Sequence, residues 1–403
     1  MQQGLKDKIK QRDFKLQSLL EITKAINADV HIDELLSLYQ TILIEQLLIG
    51  KTLLVSTQDH QLQTLMVHGF ENPSQWHSII QENAKKNKPK IETIAANGTQ
   101  VVIVPIEKDG DPIAFVILGD NDEEEITLSP SIKHMRFVQT LTSVLIVAIQ
   151  NKKLIAENIA QAGLKRELEL AAEMQNMLLP KHLPKTNTLL VDAYYKSHGQ
   201  VGGDYYDFLQ INEHEWICCM ADVSGKGVSA AFLMAGLQAQ LRGLIESYGC
   251  DLEKIISALN TKVLESAQGE KFVTFFIGHY HSKNREFSYI NCGHNPGFIF
   301  HNNSNTWMNA QTPALGIIDS FLGLKKNTLH LTSGTHILLY TDGLVEVENE
   351  MLQPFGEMGI SEAFEQWGQQ FSNVQLMEKV NHYIGKMKFI DDIALLHILI
   401  NES

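Results

Sequence analysis

The sequence predicts an α+β protein in which a small N-terminal domain and a larger C-terminal domain are joined by a long helix. The chain has 403 residues, which at roughly 150 residues per domain corresponds to two or three domains. Strand-like apolar runs occur in two separate regions. The segment that separates these regions has no proline between Pro130 and Pro180. Because hydrophobic residues make up 44% and charged residues 20%, each domain can bury a core.

The N-terminal domain, residues 1–135, is predicted from two amphipathic helices followed by short strands. The helices span Leu16–Ile26 and Ile32–Leu48. The Asp-Gly pair within Lys108–Pro112 predicts a hairpin turn. A lysine-rich stretch at 85–90 and an acidic run at 122–125 are interpreted as solvated loops. The predicted strands are Thr52–Thr57, Leu62–Val67, Val101–Ile106 and Ile113–Leu118.

A helical linker is predicted over residues 136–180, where Leu, Ala, Glu, Lys and Gln predominate. Apolar residues recur there at helical spacing, with a phase slip between Ala162 and Leu164 that resembles a stutter in a coiled coil. Two interpretations fit: one amphipathic helix packed on a domain, or a dimeric coiled coil that connects the domains.

In the C-terminal domain, residues 181–403, acidic residues lie at the edges of four apolar strands. Asp204 follows two glycines, Asp222 and Asp342 each close a strand, and Asp391-Asp392 opens the last one. Each residue alone is typical of a turn. Together they predict a carboxylate cluster with no Lys or Arg in its motifs, which needs cations. Because the ligands are hard oxygens without His or Cys, these cations are expected to be Mg²⁺ or Mn²⁺.

One competing motif points to a nucleotide. The stretch 225–230, GKGVSA, matches G-x-G-x-x-A, follows a strand and opens a helix. A dinucleotide-binding unit would next return to a parallel strand. Here two helices, Ser229–Ser247 and Leu252–Ser266, precede the next strand, so the motif is not interpreted as a cofactor site.

The N-terminal pattern LQSLLEITKAINADVHIDELLSLY, with the strands that follow it, resembles a GAF domain, a small-molecule-sensing fold of bacterial signalling proteins. A PAS domain and a ligand-free dimerisation module are the alternatives. The resemblance implies an unidentified small-molecule or protein signal, since this region has no cysteine for a bilin and no cyclic-nucleotide signature.

From Lys165 to Ile400 the chain resembles the SpoIIE/RsbU branch of the metal-dependent (PPM, type 2C-like) serine/threonine phosphatases. The motifs that carry this resemblance stand in family order: KRELELAAEMQNMLLPKHLP, VGGDYYDF, ADVSGKGVSAAFLMAGLQAQLR, NCGHNPGFIF, PALGI, HILLYTDGLVEVEN and IDDIALLHI. The resemblance implies an α/β-sandwich of two antiparallel sheets with helices outside. It also implies a two-metal centre at one end, where a metal-activated water hydrolyses phosphoserine or phosphothreonine.

Carried over by motif, Asp222 is expected to bridge the two metal ions, with the carbonyl of Val223 as a further ligand. Asp342 and Asp391 would hold one metal ion, and Asp204 the other.

Asp392 is the weaker candidate of the final pair. No general acid is identified, because the His that follows the bridging Asp in eukaryotic relatives is absent; Lys226 lies nearby. A final group of residues is expected to shape the backbone: Gly202, Gly203, Gly225, Asn295 and Gly316.

The resemblance suggests a phosphorylated STAS-domain anti-anti-sigma protein as substrate, in a bacterial partner-switching pathway. The N-terminal domain is expected to regulate the phosphatase, and the protein is expected to be a homodimer. The alternative is a catalytically inert dimeric module that acts by contact. The net charge of −14 argues against a nucleic-acid partner. No membrane span is expected, since the longest strongly apolar run, Val144–Ile149, is short.

The cysteines and the N-terminal residues predict a cytoplasmic location. The first residues are polar, which argues against a secretory signal. Four cysteines without a C-x-x-C pair predict free thiols, with neither a disulfide nor a zinc site.

Overall fold

The chain folds into two compact units, Met1–Ala162 and Gly163–Ser403. The computed structural model describes residues 2–58, 61–84, 91–96, 99–120 and 130–401. The lysine-rich stretch at 85–90 and the acidic run at 122–125 lie outside these residues.

The N-terminal unit is an antiparallel sheet with helices on both faces. Its elements are α1 (Gln2–Asn27), α2 (Ile32–Thr41), β1 (Lys51–Gln58), β2 (Gln61–His68), α3 (Ser74–Ala84), β3 (Glu92–Ala96), β4 (Thr99–Lys108) and β5 (Asp111–Gly119). The strands of the sheet have the order β2-β1-β5-β4-β3. Helix α2 continues into a π-helical segment, Ile42–Gln46. All the predicted helices and strands are confirmed; helix α3 and strand β3 were not predicted.

Two apolar layers fill the two faces of this sheet. On one face, Ile22 of α1, Tyr39 of α2 and Leu145 of the long helix that follows β5 pack in one cluster. On the other face, Trp76 and Ile80 of α3 are buried against the strands. At the tip of the β4–β5 hairpin, Asp109 and Gly110 have φ values of 54° and 96°, as its Asp-Gly pair predicts. The GAF-like identity of the unit stays a prediction.

The long helix, α4, runs over Pro130–Asn176. It begins before the predicted linker and ends four residues before Pro180. The boundary between the two compact units falls between Ala162 and Gly163, at the predicted phase slip of the apolar pattern. The coiled-coil pairing of this helix stays a prediction.

The sequence predicted no membrane span, but two helices are long and apolar enough to cross a membrane by length and composition. They are α4 and the helix Val228–Tyr248. Half of the apolar window of α4, and a third of that of the second helix, is buried inside the protein. Helices in the core of a folded domain can be equally long and apolar, so these two helices are only weak evidence for a membrane span.

The C-terminal unit contains two five-stranded antiparallel sheets. The strands are β6 (Leu189–Lys196), β7 (Tyr205–Asn212), β8 (Glu215–Val223), β9 (Val273–His281), β10 (Glu286–Cys292), β11 (Gly297–His301), β12 (Ser304–Met308), β13 (Asn327–His330), β14 (Thr335–Tyr340) and β15 (Ile393–Ile400). The strands of the two sheets have the orders β13-β10-β9-β8-β7 and β12-β11-β14-β15-β6. The helices are α5 (Val228–Tyr248), α6 (Leu252–Ala267), α7 (Asp342–Val345), α8 (Gly356–Trp367) and α9 (Asn373–Ile384).

The alternation of side chains along β14 shows how the layers are stacked. Ile337 and Leu339 join the large cluster shared with the other sheet and with α5 and α6. Leu338 and Tyr340 point the other way, into a cluster with Phe364 of α8 and residues of α9. The predicted sandwich of antiparallel sheets with helices outside is therefore confirmed.

Candidate metal centre

The register of the strands brings the predicted acidic residues to one end of the sandwich. In the first sheet, Tyr205 pairs with Ala221, so the start of β7 lies beside the end of β8. In the second sheet, Tyr340 pairs with Leu395, so the end of β14 lies beside the start of β15. Asp204, Asp222, Asp342 and the pair Asp391-Asp392 flank these four strand ends.

Asp204 is buried, with only 2% of its surface exposed. Its Oδ2 accepts a hydrogen bond of 2.7 Å from the hydroxyl of Thr341, and that hydroxyl accepts one of 2.9 Å from the backbone N–H of Ala394. Thr341 thus connects the carboxylate of the first sheet to two strands of the second.

Asp392 joins the loop before β7 to the start of β15. Its Oδ1 accepts the backbone N–H of His198 and its Oδ2 that of Gly203, each at 2.7 Å. A Cβ on Gly202 would lie 2.6 Å from Asp392 Oδ2, and one on Gly203 would lie 3.0 Å from the carbonyl oxygen of Val223. Both glycines are therefore required for this close approach.

The carboxylates raise one another's pKa values. Burial and the charge of Asp222 raise the pKa of Asp204 well above its usual range, although the bond from Thr341 opposes this. Burial, followed by the charges of Asp342 and Asp391, raises the pKa of Asp222 to about 7. Burial, Glu346 and Asp391 raise that of Asp342 to about 6. Such a cluster is short of positive charge, and oxygen-only donors fit hard divalent cations.

One expectation about this cluster was wrong, since a lysine does reach it. Lys226 Nζ lies 2.7 Å from Asp391 Oδ2 and donates a 2.8 Å bond to the carbonyl of Ile390. The hydrogen bond to Asp391 raises the pKa of Lys226, so the amine stays protonated at neutral pH. Lys226 is more than half exposed, and a single cation at the rim does not balance the buried carboxylates.

Two further contacts at the site involve residues to which the sequence analysis assigned no role. The side-chain amide of Gln175, near the end of α4, donates a 2.6 Å bond to the carbonyl of Gly202 and accepts a 3.0 Å bond from its N–H. Thr274, which pairs with Asp222 across β8 and β9, lies 2.8 Å from Nδ1 of the buried His294. Burial lowers the pKa of His294 to about 4, so its ring is neutral.

The residues expected to shape the backbone lie in tight turns. Gly225 and Gly316 have φ values of 87° and 86°. The amide of Gly316 donates a 2.9 Å bond to Asn260 Oδ1. The carbonyl of Asn295 accepts a 3.3 Å bond from Asn291 Nδ2.

Comparison with known proteins agrees with the C-terminal motifs. Residues 212–401 match the family model described as Stage II sporulation protein E (SpoIIE). Phosphoserine phosphatase RsbU of Bacillus subtilis is 32% identical over 192 residues, which are 47% of this chain and 56% of that protein. Phosphoserine phosphatase RsbP of the same organism is 27% identical over 188 residues, 45% of this chain and 46% of that protein. The chain spans about half the length of these relatives.

A solved structure shows the same fold. The SiaA-PP2C domain of Pseudomonas aeruginosa superposes with a TM-score of 0.53 at 19% identity, over 60% of this chain and 99% of that domain. The predicted resemblance to the SpoIIE branch is confirmed for residues 212–401, and the C-terminal unit has a PP2C-like fold.

Proposed function

We propose that this chain is a metal-dependent phosphoprotein phosphatase that hydrolyses phosphoserine or phosphothreonine, because residues 212–401 match the SpoIIE family model. The observation that carries the proposal is the group of carboxylates from four strand ends, three of which have raised pKa values. A stable fold gains nothing from such repulsion, whereas a site for divalent cations requires it.

In this proposal oxygen ligands of the chain would hold two Mn²⁺ or Mg²⁺ ions. Asp222 would bind both ions, and the carbonyl of Val223 would add a ligand. Asp342 and Asp391 would hold one ion, and Asp204 would hold the other. When bound, the ions supply positive charge for the phosphoryl group and activate the attacking water.

The other residues around the cluster orient these ligands. Both carboxylate oxygens of Asp392 are occupied by backbone N–H groups, so we assign it to holding the Gly203 loop. Thr341 fixes the rotamer of Asp204. Lys226, protonated and paired with Asp391, places positive charge where a phosphate would approach, and its raised pKa makes it a poor proton donor.

The proposed substrate is a phosphorylated STAS-domain protein of a partner-switching pathway in the cytoplasm. Support comes from the family motifs and from two relatives that are named phosphoserine phosphatases. The net charge of −14 fits a protein partner better than a nucleic acid.

We further propose that α4 transmits a signal from the GAF-like unit to the metal centre. Gln175 gives this helix a direct pair of hydrogen bonds to Gly202, next to the loop that carries Asp204. Leu154, Ile155 and Ile159 on the same helix are each more than half exposed, which favours pairing with a second copy as a coiled coil. A shift of the helix would then move the ligand loop.

An inert dimeric module that acts by contact is the second candidate. It would have no use for a carboxylate cluster that raises its own pKa values, and every predicted aspartate is present. Metal binding and hydrolysis separate the two candidates.

The test measures phosphate release from a phosphoserine STAS protein, with Mn²⁺ and with chelator, together with calorimetric Mn²⁺ binding. Asp222→Asn should lower the rate at least ~100-fold, because the ions supply several kcal/mol of transition-state stabilisation. Asp109→Asn, in an exposed turn of the other unit, is the matched control and should behave as wild type.

Mn²⁺ binding that depends on Asp222 but is not accompanied by hydrolysis would support the metal centre and overturn this choice of substrate. Neither binding nor hydrolysis would contradict the phosphatase and favour the inert module.

A further inference from the structure

A second group of metal-binding side chains lies in the C-terminal unit, away from the aspartates. It consists of Glu215, Cys250 and His279, whose ligand atoms all lie within 4.8 Å of one another. The sequence predicted no zinc site, because these residues come from three separate elements and form no spaced motif.

Adjacent strands place two of these side chains together. Glu215 pairs with His281, and His279 pairs with Ile217, so Glu215 and His279 are diagonal neighbours on one face of the sheet. His279 Nε2 lies 3.1 Å from Glu215 Oε1.

The turn between α5 and α6 provides the third side chain. Gly249 ends α5 at φ 60°, and its N–H donates to the carbonyl of Ile245. Asp251 caps α6 by accepting the N–H of Lys254 at 3.2 Å. Cys250 is held between these two caps, so its position is fixed by the helices rather than by a flexible loop.

The group is shielded but open to an ion. The side chains of His279 and Glu215 are 13% and 25% exposed, and Cys250 is half-buried. Burial lowers the pKa of His279, so the ring is neutral at neutral pH. The hydrogen bond from Asn212 lowers the pKa of Glu215, so this side chain is ionised. Burial raises the pKa of the Cys250 thiol to about 11, and a bound ion would replace its proton.

We propose that Glu215, Cys250 and His279 bind one transition-metal ion that is intermediate between hard and soft, and that Zn²⁺ is the ion expected. Sulfur, imidazole nitrogen and carboxylate oxygen together suit Zn²⁺, whereas Mg²⁺ prefers oxygen ligands only. The ion would tie the α5–α6 turn to strands β8 and β9.

This site is independent of the phosphatase centre. Glu215 begins β8 and Asp222 lies near its other end, seven residues on, which is about 23 Å at the rise of a strand. The same strand would therefore carry a site with sulfur, nitrogen and oxygen ligands at one end and an all-oxygen site at the other.

Co²⁺ is the spectroscopic probe, because a thiolate ligand gives it a charge-transfer absorption that oxygen ligands do not. The full chain, kept in excess Mg²⁺ to saturate the oxygen site, should bind one Co²⁺ with this absorption. Zn²⁺ should displace the Co²⁺ and raise the melting temperature.

Cys250→Ser should abolish the absorption, and His279→Gln should weaken Zn²⁺ binding at least tenfold. The controls are Glu213→Gln, which changes an exposed carboxylate in the turn before β8, and Asp222→Asn. Both control variants should keep the Co²⁺ absorption and the Zn²⁺ affinity of the wild type. Melting curves of the metal-free variants verify that they are folded.

Absence of the absorption in wild type, its persistence in Cys250→Ser, or unchanged Zn²⁺ affinity in His279→Gln would each overturn the proposal. Glu215 and His279 would then be a simple hydrogen-bonded pair. If Cys250→Ser does not fold, the His279→Gln titration decides alone.

Discussion

Both units are built on five-stranded antiparallel sheets covered by helices, but they bury different polar groups. Among the described residues, the N-terminal unit buries hydroxyls and one imidazole, such as Ser18, Thr142 and His134. The C-terminal unit buries the carboxylates Asp204 and Asp392. The same architecture thus supports a scaffold in one unit and a charged site in the other.

A buried carboxylate alone does not mark chemistry, as Asp207 shows. It is 1% exposed, yet it accepts bonds of 2.9 Å from Arg242 and 2.6 Å from the hydroxyl of Tyr205. That charge is paired and holds α5 against β7. What sets Asp204 and Asp222 apart is repulsion without a matching cation.

The largest effect that tests this comparison is expected at Gly202. A methyl group in Gly202→Ala would collide with Tyr195 and Asp392, so the loop that carries Asp204 must shift. We expect phosphate release to fall at least ~100-fold, since a displacement of about 1 Å is enough for such a loss. Gly119→Ala, where a methyl group meets Lys51 Cβ at 3.3 Å in the other unit, should retain activity. Equal losses in both variants would refute a local effect.

A smaller effect is expected when α4 loses its contact with Gly202. Gln175→Leu removes two hydrogen bonds of roughly 1 kcal/mol each, which together correspond to about a 30-fold loss of activity. Gln139→Leu is the matched control on the same helix, because it removes a 3.0 Å bond to the carbonyl of Pro105 in the N-terminal unit. Phosphate release should distinguish the two. Similar rates for both variants would remove Gln175 from the signalling proposal.

The smallest effect concerns stability without metal, where aspartates in the two units should act with opposite signs. Since the pKa of Asp222 is raised to about 7, its contribution favours the folded state at pH 4 and is lost as pH rises through 7. Asp222→Asn should therefore melt higher than wild type at pH 8 in chelator, but not at pH 4.

Asp29→Asn supplies the opposite case. Asp29 is exposed and Lys152 lowers its pKa, so removing the charge should lower the melting temperature slightly at pH 8. Melting curves with and without Mn²⁺ test both variants, and the ion should reverse the sign for Asp222→Asn. An Asp222→Asn protein that melts lower than wild type in chelator would contradict the raised pKa.

Local patterns predicted most of the fold because strands and helices leave periodic signals. The helix pair α5 and α6 and the last strand were found within a few residues of their bounds. Helix α3 and strand β3 were missed, since α3 is mostly polar and buries only a few large side chains, Trp76 and Ile80 among them. A short polar helix and a five-residue strand give little periodicity to detect.

The aspartates were predictable because each stands at a strand edge, where Asp is conspicuous. The residues that orient them were not. Gln175 contacts Gly202 and Thr341 contacts Asp204; both residues lie within the family motifs, but a motif does not show which residue each side chain contacts. Lys226 was recognised only as lying near the site, since only the folded chain brings its amine to Asp391. Contacts between distant positions depend on packing, which a single sequence does not display.

The two bonds accepted by Asp392 have a consequence for the order of events during synthesis. They join positions 194 and 189 residues apart, and β15 lies between β14 and β6 in its sheet. A ribosome must therefore release the stretch through Ile400 before the loop that carries Asp204 can be fixed. Until then the nascent chain has its first strands but an incomplete carboxylate cluster, so the candidate metal centre can form only late in synthesis.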